Sequence, residues 1–217
     1  MVQDRGPNTG CMGNTVWCTE SNKLTQAAIE PLAPLLEKVG FTGPIDVNCI
    51  VTRDEAWFLE FTPRFGYEAI QTFAELVKGS MFDFLYGIAT GQSSSFSSYP
   101  GFALGVRLSL SPYPSDSDVE RWRGVQVLNI PREAQKHVWL ADTMKDSEGV
   151  PVIAGVDGVV GCVTARGDSV RECQRRVYRT IKNIALTQDL QYRTDIGDGT
   201  EDSKRTLEEW GWLNGSA

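Results

Sequence analysis

Glu60-Phe61-Thr62-Pro63-Arg64-Phe65-Gly66, with the segment Gly43 to Thr52 ahead of it, is the stretch on which the reading of this chain turns. From Ile45 to Ile50 the side chains alternate between apolar (Ile45, Val47, Cys49) and polar (Asp46, Asn48), with Ile50 the exception. A polar gap at Arg53-Asp54-Glu55 separates this run from a second apolar one, Ala56-Trp57-Phe58-Leu59. Two such runs around a short polar gap predict an antiparallel hairpin. Its polar stripe, Asp46 and Asn48, can face the carboxylate of Glu60 at the far end of the partner strand. Alternate residues of a strand share a face, so Glu60, Thr62 and Arg64 point to one side. A carboxylate beside a hydroxyl or amide oxygen suits a hard divalent cation, and Mg2+ takes few protein ligands and completes its shell with phosphate and water. The Arg fork can hold a phosphate or carboxylate at two points. An isolated E-x-T-x-R fits a surface strand with an incidental ion pair at least as well, so the hairpin alone decides nothing.

The 217 residues suit one large domain or two small ones, and with 41% hydrophobic and 23% charged residues the chain has the makings of a real core. A net charge of −7 argues against a nucleic-acid partner held by its phosphates. No apolar run approaches the roughly 18 residues of a membrane span, and the start lacks a signal-peptide profile. The five cysteines (Cys11, Cys18, Cys49, Cys162, Cys173) are odd in number and scattered, which reads as reduced thiols of a cytoplasmic protein. With His137 the one histidine, carboxylates, amides, Arg and Lys must carry any chemistry.

Outward from the hairpin, the chain opens on Asp4 to Asn14, whose Gly, Pro and Asn content predicts a loop with bare backbone N–H groups able to cradle an anion. Asn22 to Val39 is expected to be helical, divided or kinked at Pro31 and Pro34 and stopped by Gly40. Glu68 to Lys78 and Met81 to Thr90 read as two short amphipathic helices. Gly91 to Gly101, rich in serine, marks the expected boundary, giving units 1–92 and 102–217 with 93–101 as linker. Beyond it period-two patterning predicts strands at Ala103 to Leu110, Gly124 to Ile130, Val138 to Met144, Pro151 to Ala154 and Gly158 to Ala165. One strong helix follows, with Ser169 as N-cap, Glu172 closing a capping box, and Val170, Cys173, Val177, Ile181 and Ile184 as its buried stripe. The polar tail from Asp195 holds a last short helix around Leu207 to Trp212. The class is α+β.

Four motifs add a resemblance. Gly6-Pro7-Asn8-Thr9-Gly10-Cys11-Met12-Gly13 resembles the GPNTGGMG signature of the phosphoribosylamine–glycine ligase family, ATP-grasp enzymes of purine biosynthesis. Glu60 to Gly66 resembles that family's E-F-N-x-R-F-G, Gly158 to Val170 its GRVLGVTALGDTL, and Gln191 to Gly197 its QYRTDIG. In the family's order, they cover nearly the whole chain. The resemblance implies the C-terminal part of an ATP-grasp domain, an antiparallel sheet with helices, over about 1–92. A small β-rich domain with one long helix would follow over about 102–217. It implies ATP, Mg2+ or Mn2+, and the small substrates glycine and 5-phosphoribosylamine or analogues, joined through an acyl phosphate. By the same resemblance Glu60 is a metal ligand, Thr62 stands where the second ligand would be, and Asn48 matches a weaker third. Arg64 matches an arginine of the catalytic site facing phosphate, and Asn8, Thr9 and Gly10 lie in the substrate- and phosphate-binding loop.

Departures are equally specific. Cys11 replaces a Gly, Thr62 an Asn, Tyr67-Glu68-Ala69 an Asp-Pro-Glu, and Leu140 a His. These leave the ATP-and-metal part more credible than the substrate pair. A ligase for a different acid or amine, and a non-catalytic fragment of the fold, are the alternatives. More than half the family's chain lies ahead of this stretch, including the part that holds the nucleotide. The expectation is a fragment inactive alone, or a chain whose N-terminal half is a separate polypeptide.

Overall fold

A computed structural model describes residues 2–92, 96–114, 119–186 and 190–213. In chain order the first elements are β1 (Gly13–Val16), α1 (Lys23–Ala28), α2 (Ala33–Lys38), β2 (Asp46–Val51), β3 (Ala56–Thr62), α3 (Ala69–Ala74) and α4 (Met81–Thr90). Strands β4 (Phe102–Leu110), β5 (Val127–Leu128), β6 (Val138–Leu140), β7 (Thr143–Lys145), β8 (Pro151–Ile153) and β9 (Val159–Gly167) follow. The last are α5 (Val170–Asn183), β10 (Ala185–Leu186), β11 (Leu190–Gln191) and α6 (Thr200–Glu209). Helices with antiparallel sheets bear out the α+β class. Two compact units are interleaved along the chain: Met1–Val16, Tyr67–Leu76 and Gly101–Asp198 form one, and Trp17–Gly66, Val77–Pro100 and Gly199–Ala217 the other. Of the expected linker, residues 93–95 lie outside the described residues.

The first unit is built on an antiparallel sheet in the order β1-β4-β9-β6, with β11 beside β1 on the same edge of β4. Period two sorts the side chains of β4 onto its two faces. Leu104, Val106, Leu108 and Leu110 join the apolar core with Val170, Cys173, Val177 and Ile181 of α5. That helix stripe is the one expected, and burying each such side chain contributes about 1.5–3 kcal/mol. The opposite face carries Gly105, Arg107 and Ser109. At Gly105 a Cβ would sit 2.2 Å from Thr72 Oγ1 of α3, so only glycine lets α3 approach. Gly13, at φ 149°, opens β1 where a Cβ would lie 2.5 Å from the Gly105 carbonyl oxygen. The expected opening loop thus ends as a sheet strand.

Several boundaries differ from expectation, each for a local reason. The expected strand Val138 to Met144 is two strands, broken at Asp142, whose φ is 42°. The Asp142 carboxylate accepts the backbone N–H groups of Val156, Asp157 and Gly158 at 2.9–3.0 Å, fixing the turn before β9. Of Gly124 to Ile130 only β5 is strand. The expected helix Glu68 to Lys78 shrinks to α3, because Glu68 is left-handed (φ 57°) and Val77 bridges Ser98 instead of coiling on. The last helix runs from Thr200 rather than from Leu207. Ser169 Oγ accepts the Glu172 N–H at 3.2 Å, but Glu172 Oε2 accepts the Asp168 N–H, not that of Ser169, so the capping box closes one residue early.

In the second unit Asn22 caps α1: its Oδ1 accepts the N–H groups of Leu24 and Thr25 at 3.1 Å, and Thr25 Oγ1 accepts the Asn22 N–H at 2.8 Å. Proline divides the helical stretch as expected, with a single 3-10 turn at Glu30–Leu32 between α1 and α2, and Gly40 (φ 62°) ends it. β2 and β3 form the expected hairpin. Trp212 ties the chain end to it, its indole Nε1 donating to the Thr52 carbonyl at 2.7 Å.

Candidate functional site

The hairpin register sets Asp46 opposite Thr62 and Asn48 opposite Glu60, so four oxygen-bearing side chains share one face. Asn48 Nδ2 donates to Glu60 Oε1 at 2.9 Å, and Thr62 Oγ1 donates to Asp46 Oδ2 at 3.4 Å. The next pairs are Cys49 with Phe58 and Ile50 with Trp57, which leaves Leu59 as the extra residue of a bulge. The bulge lies in β3 alone, so β2 keeps its alternation and Ile50 stays on the face of Asp46 and Asn48. Past it, the face that carried Asn48 and Glu60 presents Ile50 and Trp57, which are 59% and 58% exposed.

Of the seven residues expected in the site, Asn48, Glu60, Thr62 and Arg64 lie in the second unit, and Asn8, Thr9 and Gly10 in the first. The structure brings Asn48 and Glu60 into direct contact and sets Thr62 two register pairs away, at the next position on the same face. Arg64 follows β3, and its Nη1 donates to the Phe65 carbonyl at 3.0 Å. Asp46 was legible as part of the polar stripe but not as a member of the site. Among the described residues no group of three or more His, Cys, Asp and Glu is placed to hold a metal ion. A donor set of two carboxylates with an amide and a hydroxyl is still one of hard oxygens, and it fits a cation that takes few protein ligands.

In the first unit, sequence reasoning missed a buried polar network. Arg107 of β4 pairs through Nε with Glu68 Oε1, the two side chains being 4% and 9% exposed. Arg107 Nη1 donates to Tyr113 Oη at 2.8 Å, and the Tyr67 ring lies 5.0 Å from the guanidinium carbon. Burial pushes the Glu68 carboxyl up against the opposing pull of Arg107. Burial works against the Arg107 charge too, but Glu68, with Tyr113 and Cys11 beside it, outweighs that and raises the guanidinium. Glu68 Oε2, Asn14 Oδ1 and Gln71 Oε1 are buried without a hydrogen-bond partner among the described residues. The signal that could have found the pair is an arginine inside an otherwise apolar strand pattern, since buried charges are paired. His137, the one histidine, meets Glu75 Oε1 through Nδ1 at 2.6 Å. The same oxygen accepts from Thr164 Oγ1 at 2.6 Å, and Trp139 Nε1 donates to that hydroxyl at 3.0 Å. These contacts tie three strand and helix segments of the unit together. None of the five cysteines is in a disulfide, in keeping with the reading as thiols.

Comparison with known proteins gives a shared fold and then similar sequences. The fold is shared with solved ligase structures. A phosphoribosylamine–glycine ligase from Thermotoga maritima superposes with a TM-score of 0.63 at 20% identity, over 90% of this chain and 49% of that one. A phosphoribosylglycinamide synthetase from Anaerococcus prevotii gives 0.51 at 13% identity, over 82% and 45%. By sequence the chain is similar to curated phosphoribosylamine–glycine ligases. It is 29% identical to that of Halalkalibacterium halodurans over 202 residues, which is 89% of this chain and 45% of the relative. With that of Clostridium acetobutylicum the identity is 30% over 204 residues, 89% and 47%. The resemblance carried by the four motifs is borne out. The chain spans about half the length of the curated relatives it matches. No family model matches it.

Proposed function

We propose that this chain is the metal- and phosphate-holding part of an ATP-dependent carboxylate–amine ligase of purine biosynthesis. The reaction is that of its relatives' name: glycine and 5-phosphoribosylamine joined at the expense of ATP. The observation that carries this reading is the Asn48–Glu60 contact on the face shared with Asp46 and Thr62, set in a fold common to these ligases. Glu60, Thr62 and Asn48, with Asp46 added, would hold Mg2+ or Mn2+. Bound there, the ion would neutralise phosphate charge as the phosphoryl group of ATP passes to the acid. Arg64 contributes a planar fork for phosphate, and Asn8, Thr9 and Gly10 contribute backbone N–H groups for an anion. The chemistry asks of these residues positioning and fixed charge rather than acid–base work. In the balanced reaction the glycine carboxylate takes the terminal phosphoryl group and releases ADP. The amine then attacks the acyl carbon, phosphate leaves, and an amide remains.

A ligase for another acid or amine is the second reading. The observation favouring it is Glu68, which falls just after Arg64 where the resemblance is broken, and which is built into a buried ion pair with Arg107. We propose the remaining half of the relatives' length as the partner of this chain, and Trp57 and Leu59, 58% and 64% exposed on the hairpin, as apolar surface it would cover. We further propose domains at 1–92 and 102–217 and a cytoplasmic setting. No described helix is long and apolar enough to cross a membrane.

The metal reading is tested by titrating the chain with Mn2+ and following paramagnetic broadening of the Asn48 side-chain amide. Broadening should saturate in the wild type and vanish in Glu60→Gln with the fold retained. Equal broadening in both removes Glu60 from the site.

A further inference from the structure

We infer that the outward face of α5 binds a small polyphosphorylated ligand. The helix buries Val170, Cys173, Val177 and Ile181, and its opposite side carries Arg171, Arg175, Arg179 and Lys182 at spacings of four, four and three residues. Such spacing stacks the four cations in one row, about 16 Å long at the helical rise. They line a groove of about 730 Å³, whose wall includes Tyr178 and Thr194. That volume lies within the range of about 300–1,000 Å³ usual for small-molecule sites.

Two features separate this face from an ordinary solvated one. Like charges four residues apart destabilise a helix, and a solvated face is commonly built from alternating signs that support each other. Here one acid lies within reach on the helix: Glu172 is held by Arg176 at 2.6 Å and stands 4.0 Å from Arg175. Arg171, Arg179 and Lys182 form no ion pair among the described residues. Among the described residues the other wall offers a single carboxylate, Asp198, which accepts from Gln174 Nε2 at 2.7 Å. Among the described residues the groove therefore gathers four positive charges against one negative, in a chain of net charge −7. Its floor is fixed, because Tyr178 Oη accepts the Ile196 N–H at 3.2 Å and its ring packs 6.3 Å from that of Tyr192.

Four cations in a row, three of them guanidinium forks, match several phosphates on one molecule better than a single anion. A cation row only about 16 Å long favours a small ligand over an extended polymer, and the overall negative charge repels nucleic acid beyond the groove. The inference stands apart from the proposed ligase chemistry and needs neither ATP turnover nor a divalent ion.

The test is calorimetric titration of the 217-residue chain with inorganic tripolyphosphate at low salt, in EDTA. Tripolyphosphate should bind at least tenfold tighter than orthophosphate. Arg175→Glu with Arg179→Glu should weaken binding at least tenfold, while the unfolding midpoint stays level or rises as like-charge repulsion is relieved. Glu60→Gln should bind as the wild type does, which separates this site from the proposed metal site. The inference is overturned if orthophosphate binds as well, if the double variant binds unchanged, or if binding is lost in Glu60→Gln. Tighter binding of a single-stranded oligonucleotide or of polyglutamate also overturns it.

Discussion

Replacing Arg107 by leucine removes one half of an ion pair whose side chains are 4% and 9% exposed, and the magnitude follows from that burial. Two unit charges about 4 Å apart attract by roughly 4 kcal/mol at an effective dielectric constant near 20. Taking each charge out of water costs several kcal/mol, so the intact pair contributes little net stability. Removing the arginine leaves the Glu68 carboxylate with that cost and no compensation, and Tyr113 also loses its donor at 2.8 Å. Arg107→Leu should therefore lose about 3–5 kcal/mol, a large part of the 5–15 kcal/mol typical of a folded domain. Glu68→Leu with Arg107→Leu should come within about 1 kcal/mol of the wild type, since no buried charge remains. Burial still raises the lone Glu68 carboxyl above its ordinary 4.5, so the unfolded chain ionises first. The part of the Arg107→Leu deficit that comes from the buried charge is complete above the raised folded value and shrinks as pH falls from there toward 4.5. Urea unfolding of the four members of the cycle measures all of this. A loss below about 1 kcal/mol for Arg107→Leu, or a double variant as unstable as the sum of the singles, would refute the reasoning.

Thr62→Asn restores the amide of the resembled pattern and should leave Mn2+ affinity of the hairpin equal or tighter, as read by electron paramagnetic resonance; weaker binding would show a site rebuilt around the hydroxyl. Burial pushes the Tyr178 hydroxyl from 10.0 up to about 12, so its stability contribution is complete below pH 10 and drains away as pH rises toward 12. Tyr178→Phe should flatten that alkaline slope in thermal melts. Gly105→Ala drives a methyl group to 2.2 Å from Thr72 Oγ1 and should cost about 1–3 kcal/mol in urea unfolding, with part recovered by Thr72→Ala.

The sequence made legible what depends on short-range periodicity. The hairpin, the buried stripe of α5 and the division of the first helical stretch at its prolines all follow from patterns within a dozen residues. The Asn48–Glu60 contact was legible for the same reason, because period two and a tight turn set the register. What escaped depends on partners distant in sequence. Arg107 is read as an anomaly in β4 until Glu68 is placed beside it, 39 residues away. Asp142 breaks its strand to hold amides 14 to 16 residues ahead, which no local propensity announces. The bulge at Leu59 likewise depends on the cross-strand pairing, and it decides which residues share the face of Glu60.

The measurement that tests the central claim most directly is formation of glycinamide ribonucleotide, with phosphate release, from ATP, Mg2+, glycine and 5-phosphoribosylamine. It is made on this chain alone, with the remaining half of the relatives' length supplied in trans, and on the joined protein. The account predicts no turnover by the chain alone, since it spans about half of its relatives, and one phosphate released per amide formed once the other half is present. Turnover by the chain alone, or none from the joined protein, would contradict it.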